Sequence, residues 1–175
     1  MATVADYLGN AAWVKRIEQL FDSLDTNKNG YVSKEEFHTS INRLALKVTD
    51  RPPELIEKLR KSTVELTDAI GLGKGEKPDK KKFLELVAAF AVDQKAKADK
   101  GEETVTEKHN VALYDVVDRN HDGNLTWDEY KSVMVSSGYD EAAARIEFDA
   151  LDKNKNGKID RKELASAALI FFTGL

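Results

Sequence analysis

The chain has 175 residues, of which 41% are hydrophobic and 33% charged, and its formal net charge is −4. That length supports one compact domain or two small lobes with real cores. The lack of cysteine excludes disulfides and thiolate chemistry, and no apolar run approaches the roughly 18 residues of a membrane helix.

The first ten residues, "MATVADYLGN", carry neither a signal peptide's basic flank and apolar stretch nor the glycine after Met1 that myristoylation needs. A cytoplasmic location is therefore expected, with no membrane partner. Trp13, Ile17, Leu20, Phe21 and Leu24 then recur at helical spacing. The helix they predict runs into "DTNKNGYVSKEE", residues 25–36.

This stretch has the spacing of a cation loop. Calcium is a hard ion that takes about six to eight oxygens. One turn of chain can wrap it if alternate side chains point inward, as Asp25, Asn27 and Asn29 would. Gly30 permits the sharp turn because it has no Cβ. The carbonyl of Tyr31 supplies a further oxygen, Ser33 contributes directly or through water, and Glu36 closes the site with two oxygens. Phe37, Ile41, Leu44 and Val48 mark the exiting helix.

A helix signal, "PPELIEKLRKSTVELTDAI", begins at Pro52 and Pro53, and another, "DKKKFLELVAAFAV", begins with Asp79 as its cap. Between them lies "GLGKGEKPDKKK", residues 71–82. Gly71 stands where the first loop has Asp25, and Lys82 where it has Glu36. Pro78 falls at the strand position without an N–H, so half of the usual two-bond bridge is lost. This reads as a degenerate second hand kept as a structural partner. The basic run "KPDKKKF" reads as a solvated face, so no nucleic-acid partner is expected.

"DQKAKADKGEET", residues 93–104, reads as the link between halves, with Thr104 and Glu107 as the capping box of the next helix. That helix, marked by Val111, Tyr114 and Val117, enters "DRNHDGNLTWDE", residues 118–129. The ligand set is Asp118, Asn120, Asp122, the carbonyl of Asn124, Thr126 and Glu129. "DKNKNGKIDRKE", residues 152–163, repeats it with Asp152, Asn154, Asn156, the carbonyl of Lys158, Asp160 and Glu163. The last helix runs through Leu164, Ala168 and Phe171, its aromatics read as core.

Three full matches to the calcium-loop pattern identify EF-hands. The expected fold is all-α, with four helix–loop–helix units in two pairs spanning 1–95 and 102–175. Three calcium ions are expected, with magnesium competing for the sites, in a monomer. The first site brings two carboxylates and the others three each, so the first is expected to be the weakest. His38, His109 and His121 are isolated in sequence, and no nucleophile–base pair or organic-cofactor motif appears, so no enzyme is expected.

A degenerate second hand beside complete first, third and fourth hands resembles the sarcoplasmic calcium-binding protein family in its broad sense, with its bacterial calcium-binding proteins, luciferin-binding proteins and calcium-triggered photoproteins. "WVKRIEQLFDSLD" is similar to the photoprotein first helix, with Trp13 in register. The resemblance puts that family's luciferin-binding histidine at Ile17, and its late His, Trp and Tyr at Ala168, Phe172 and Thr173. The family's cavity-sealing tail has no counterpart after Leu175. These departures predict that the chain is not a photoprotein. The only methionines are Met1 and Met134, which speaks against a Met-rich sensor groove. A calcium buffer or transport protein is the leading expectation, with a sensor or a carrier of a small apolar ligand as alternatives.

Overall fold

The computed structural model describes residues 2–73, 75–136 and 140–175. Lys74, in the second loop, lies outside them. The helices run α1 (Val4–Gly9), α2 (Ala11–Leu24), α3 (Lys34–Lys47), α4 (Pro53–Ile70), α5 (Lys80–Asp99), α6 (Val105–Val117), α7 (Trp127–Ser136), α8 (Glu141–Leu151) and α9 (Arg161–Thr173). Two short strands, β1 (Leu125–Thr126) and β2 (Lys158–Ile159), pair antiparallel with Leu125 opposite Ile159.

Side chains set most helix starts. Thr104 and Glu107 form the reciprocal box their spacing predicts. Ser33 with Glu36, and Asp160 with Glu163, do the same for α3 and α9. The short α1 is an addition to the sequence reading. Thr3 and Asp6 cap it, and Asn10 ends it while accepting from Trp13 N–H to start α2. The linker is shorter than the composition of 93–104 suggests. Helix α5 continues to Asp99, supported by the i,i+4 ion pairs Lys95–Asp99 and Asp93–Lys97. Buried Gln94 then accepts from the N–H groups of Val105 and Thr106, capping α6 from the preceding helix.

Two apolar clusters form, and neither keeps to one end of the chain. The first joins Trp13, Ile17, Phe21, Ile70, Phe83 and Phe90 with Phe172 of α9. The second joins Ile41, Leu44 and Leu59 with Tyr114, Val117, Tyr130 and Phe148. Helix α4 feeds both clusters, and its packing on α6 is the most extensive between any two helices. At that contact Ser62 Oγ lies 3.3 Å from His109 Nδ1.

The end of α9 is held by the start of the chain. Trp13 Nε1 donates to the carbonyl of Phe172 (2.8 Å), Tyr7 Oη to that of Thr173 (3.1 Å), and Arg16 to that of Gly174. These are the carbonyls a helix C-terminus leaves without partners. Trp13→Phe leaves one of them unpaired and should cost about 1–3 kcal/mol in chemical denaturation.

Burial pushes the His109 imidazole down to about 4 from its ordinary 6.5. The folded state thus favours neutral His109, a contribution that is full above about pH 6.5 and lost as pH falls toward 4. In calcium-free buffer, stability should drop across that window, and His109→Gln should show a shallower drop.

Candidate calcium sites and the cavity they surround

The three complete loops follow one backbone path. At position four, Lys28, His121 and Lys155 all have φ between 54° and 56°. At position six, Gly30, Gly123 and Gly157 have φ of 83°, 78° and 79°. Left-handed backbone at two nearby positions folds twelve residues into a ring, and glycine serves the second at no steric cost. Loop N–H groups then fix the side chains. Asp25 accepts from Asn29 and Gly30 (3.0 and 2.9 Å), and Asp152 from Asn156 and Gly157 (3.1 and 2.8 Å). Asn27, Asn120 and Asn154 each accept from the N–H two residues on, as do Asn29, Asp122 and Asn156.

The twelfth-position glutamates span their rings. One oxygen accepts from the N–H of position nine: Ser33 to Glu36 at 3.0 Å, Thr126 to Glu129 at 3.0 Å, Asp160 to Glu163 at 2.9 Å. The other reaches the ring's start. Glu36 takes Asn27 Nδ2 at 2.8 Å, Glu129 takes Arg119 N–H at 3.1 Å, and Glu163 takes Lys153 N–H at 3.0 Å.

Among the described residues, no three His, Cys, Asp or Glu side chains converge as a metal cluster. The loops' oxygen chemistry does not require it, because in an oxygen cage of this type amides, hydroxyls and backbone carbonyls would share the ion with the acids. One observation shows that the donors fit a cation. Asp118 is buried, its Oδ2 accepts from Gly123 N–H (3.0 Å), and its Oδ1 has no hydrogen-bond partner. A carboxylate oxygen in that state is costly unless positive charge meets it.

The second loop takes a different path. Gly71 ends α4 with φ of 100°, and a Cβ there would meet Leu86 Cδ2 at 3.1 Å, so the first ligand position is occupied by a helix cap. Asp79 caps α5 through Lys82 N–H, and the Lys82 ammonium pairs with Glu85. Val32 N–H donates to the Pro78 carbonyl at 3.1 Å, and no return bond is possible from proline. Here the pairing shrinks to a single bridge between Tyr31 and Asp79. His38 lies 3.3 Å from Thr67 Oγ1, and His121 is exposed.

A cavity of about 610 Å³ lies between α2, α3, α6, α7 and α9. Leu24, Phe37, Ile41 and Leu44 line it from the first hand, Val117, Leu125, Tyr130, Val133 and Met134 from the third, and Leu164 from the fourth. Phe37, Tyr130 and Leu164 each directly follow a twelfth-position glutamate. None of its described lining residues comes from the second hand, whose matching Phe83 instead packs on Phe21 in the first core (5.5 Å). Sequence reasoning missed this cavity. An apolar residue follows position twelve in all four hands, so the pattern alone could not say which three share a void. A larger cleft of about 820 Å³ between α4 and α6 is lined mainly by lysine and glutamate and does not touch the loops, so its size gives it no claim to the calcium chemistry.

The EF-hand domain pair model matches residues 14–135 and an EF-hand model matches 145–168. The chain belongs to the EF-hand family. It therefore falls among calcium-binding proteins whose fold is a metal-binding rather than an enzymatic unit. It is 26% identical to aequorin-2 of Aequorea victoria, over 93% of this chain and 84% of that protein. It is also 26% identical to the luciferin-binding protein of Renilla reniformis, over 93% of this chain and 86% of that one. Magnesium-loaded apo-berovin, a ctenophore light-sensitive photoprotein whose three calcium-binding loops all bind magnesium, shares the fold (TM-score 0.80, 24% identity, 97% of this chain and 93% of that one).

These matches overturn two expectations, that the chain is a buffer and that it is not a photoprotein. Residues 17, 168, 172 and 173 carried the second, and the physical reason it fails is local. Ile17 and Phe172 lie in the first core, and none of these four residues lines the apolar cavity walled by the first, third and fourth hands, so their types do not decide what it can hold. A buffer needs no such cavity, and the scarcity of methionine tests only for a groove opened to protein targets.

Asp118→Asn should separate charge from ligation. In chelator the variant should be as stable as the parent or more so, by up to about 1–3 kcal/mol. Its calcium-induced rise in melting temperature should shrink, and calorimetry should show one site weakened by about tenfold or more.

Proposed function

We propose that this chain is a calcium-regulated protein of the photoprotein kind, holding an aromatic, apolar luciferin in the cavity between its first, third and fourth hands. One observation carries the reading: the three hands with complete ligand sets are the three that wall the cavity. In this reading the chain is two hand pairs, 1–95 and 102–175. Three calcium ions are bound, by Asp25 to Glu36, Asp118 to Glu129 and Asp152 to Glu163, and magnesium competes for the same oxygens. Bound calcium supplies fixed positive charge at which the loop carboxylates gather.

The chain's own residues do the rest. Glu36, Glu129 and Glu163 hold the first turns of α3, α7 and α9, and each is one peptide bond from a wall residue. A change in how these carboxylates are held moves Phe37, Tyr130 and Leu164, and with them the shape of the cavity. Leucine, valine and phenylalanine give it apolar walls, while Arg43 offers a polar group to orient a ligand.

The test is direct. The purified chain, in chelator and air, is incubated with the luciferin of the Renilla protein, and ligand capture is followed by Trp127 emission. Capture should occur without calcium, and light should follow calcium addition. Tyr130→Ala should weaken capture by about tenfold. A chain that binds three calcium ions yet captures no luciferin would overturn the proposal.

A further inference from the structure

We infer that the first and third calcium loops are coupled to each other across the two hand pairs, with Arg51 as the positioning residue that carries the coupling. This inference needs only the calcium loops and does not rest on the luciferin reading.

EF-hands ordinarily answer to the partner across their strand bridge, as the third and fourth do here through β1 and β2. The first hand's bridge partner has Gly71 and Lys82 at its two end positions, and the bridge is a single residue pair. That contact leads to no second complete ligand set. The other end of the first hand does. Helix α3 starts at the turn that holds Glu36 and runs unbroken to Lys47. Arg51 N–H then donates to the Val48 carbonyl (3.0 Å), fixing the turn beyond the helix.

From that turn Arg51 reaches into the third hand. Its side chain is only 8% exposed. Nε donates to the carbonyl of Val116 in the last turn of α6 (2.7 Å), and a terminal nitrogen donates to Asp50 (2.7 Å). The other Asp50 oxygen meets Arg119 at 3.0 Å. Arg119 is the second residue of the third loop. It follows Asp118, the acid with the unpartnered oxygen, and its N–H donates to Glu129. A continuous path of one helix, one turn and four hydrogen bonds therefore joins the glutamate of the first ring to that of the third. Within the path, the Asp50–Arg119 pair is well exposed and transmits little by itself. The Arg51 bond to a helix-end carbonyl is half-buried and charge-assisted, and it carries most of the link.

Coupling of this kind is reciprocal: whatever the first site does to the third, the third does to the first. The experiment is calcium calorimetry on the full chain without luciferin, with Trp127 emission reporting the third loop. Glu36→Gln should lower calcium affinity at the third site by about fivefold or more, and Glu129→Gln should lower the first site's by the same factor. In an Arg51→Met background, Glu36→Gln should leave the third site unchanged, while coupling between the third and fourth sites persists. Should Arg51→Met fail to fold, Arg51→Lys keeps the charge but loses the planar, two-donor reach, and should lose most of the coupling. Third-site affinity within about twofold of the parent in Glu36→Gln, or coupling that survives Arg51→Met or, failing that, Arg51→Lys, overturns the inference.

Discussion

The twelfth-position glutamates face a conflict on which the rest of the molecule turns. The same carboxylate that caps an exiting helix is the acid that a bound cation would claim. In the first, third and fourth hands one oxygen satisfies the N–H of position nine and the other ties down the beginning of the ring. A cation closing these rings would therefore draw on the same few oxygens that cap the first turns of α3, α7 and α9. Those turns also carry Phe37, Tyr130 and Leu164, which line the apolar cavity.

The second hand sits outside this conflict. A glycine cap at Gly71 and an ammonium at Lys82 make it a rigid support. Its aromatic Phe83 is spent on the first core, where it locks against Phe21. Lys80 pairs with Asp22, and that hydrogen bond, helped by the fields of Asp22, Glu18 and Asp25, holds its ammonium above the usual lysine range. That places positive charge beside the ring with the fewest carboxylates.

The halves are interlocked rather than stacked. Helix α4 supplies both cores, α3 packs into the second core, and α9 sends Phe172 into the first. The carbonyls closing α9 are held by Tyr7, Trp13 and Arg16. The result is a set of shared walls, in which the cavity belongs to no single hand pair and side chains such as Arg51 bridge from one pair to the other.

The sequence alone determined what is local. The altered path of the second loop, the capping boxes and the lost half-bridge at Pro78 all follow from residue type at fixed offsets over a dozen residues. The short α1 was missed, although Thr3 and Asp6 carry the signal of a helix start. The true end of α5 was missed as well, because the charged composition of 93–99 reads as linker until its i,i+4 spacing is weighed. Function was misjudged for a related reason: the reading rested on positions such as Ile17, which the structure buries in the first core and not in the cavity. Only the tertiary structure decided that Phe37, Tyr130 and Leu164 share a void while Phe83 fills a core. It alone also brought Arg51 to the carbonyl of Val116. These depend on how helices far apart in sequence cross, and side-chain periodicity tells which face is apolar but not which partner that face will meet.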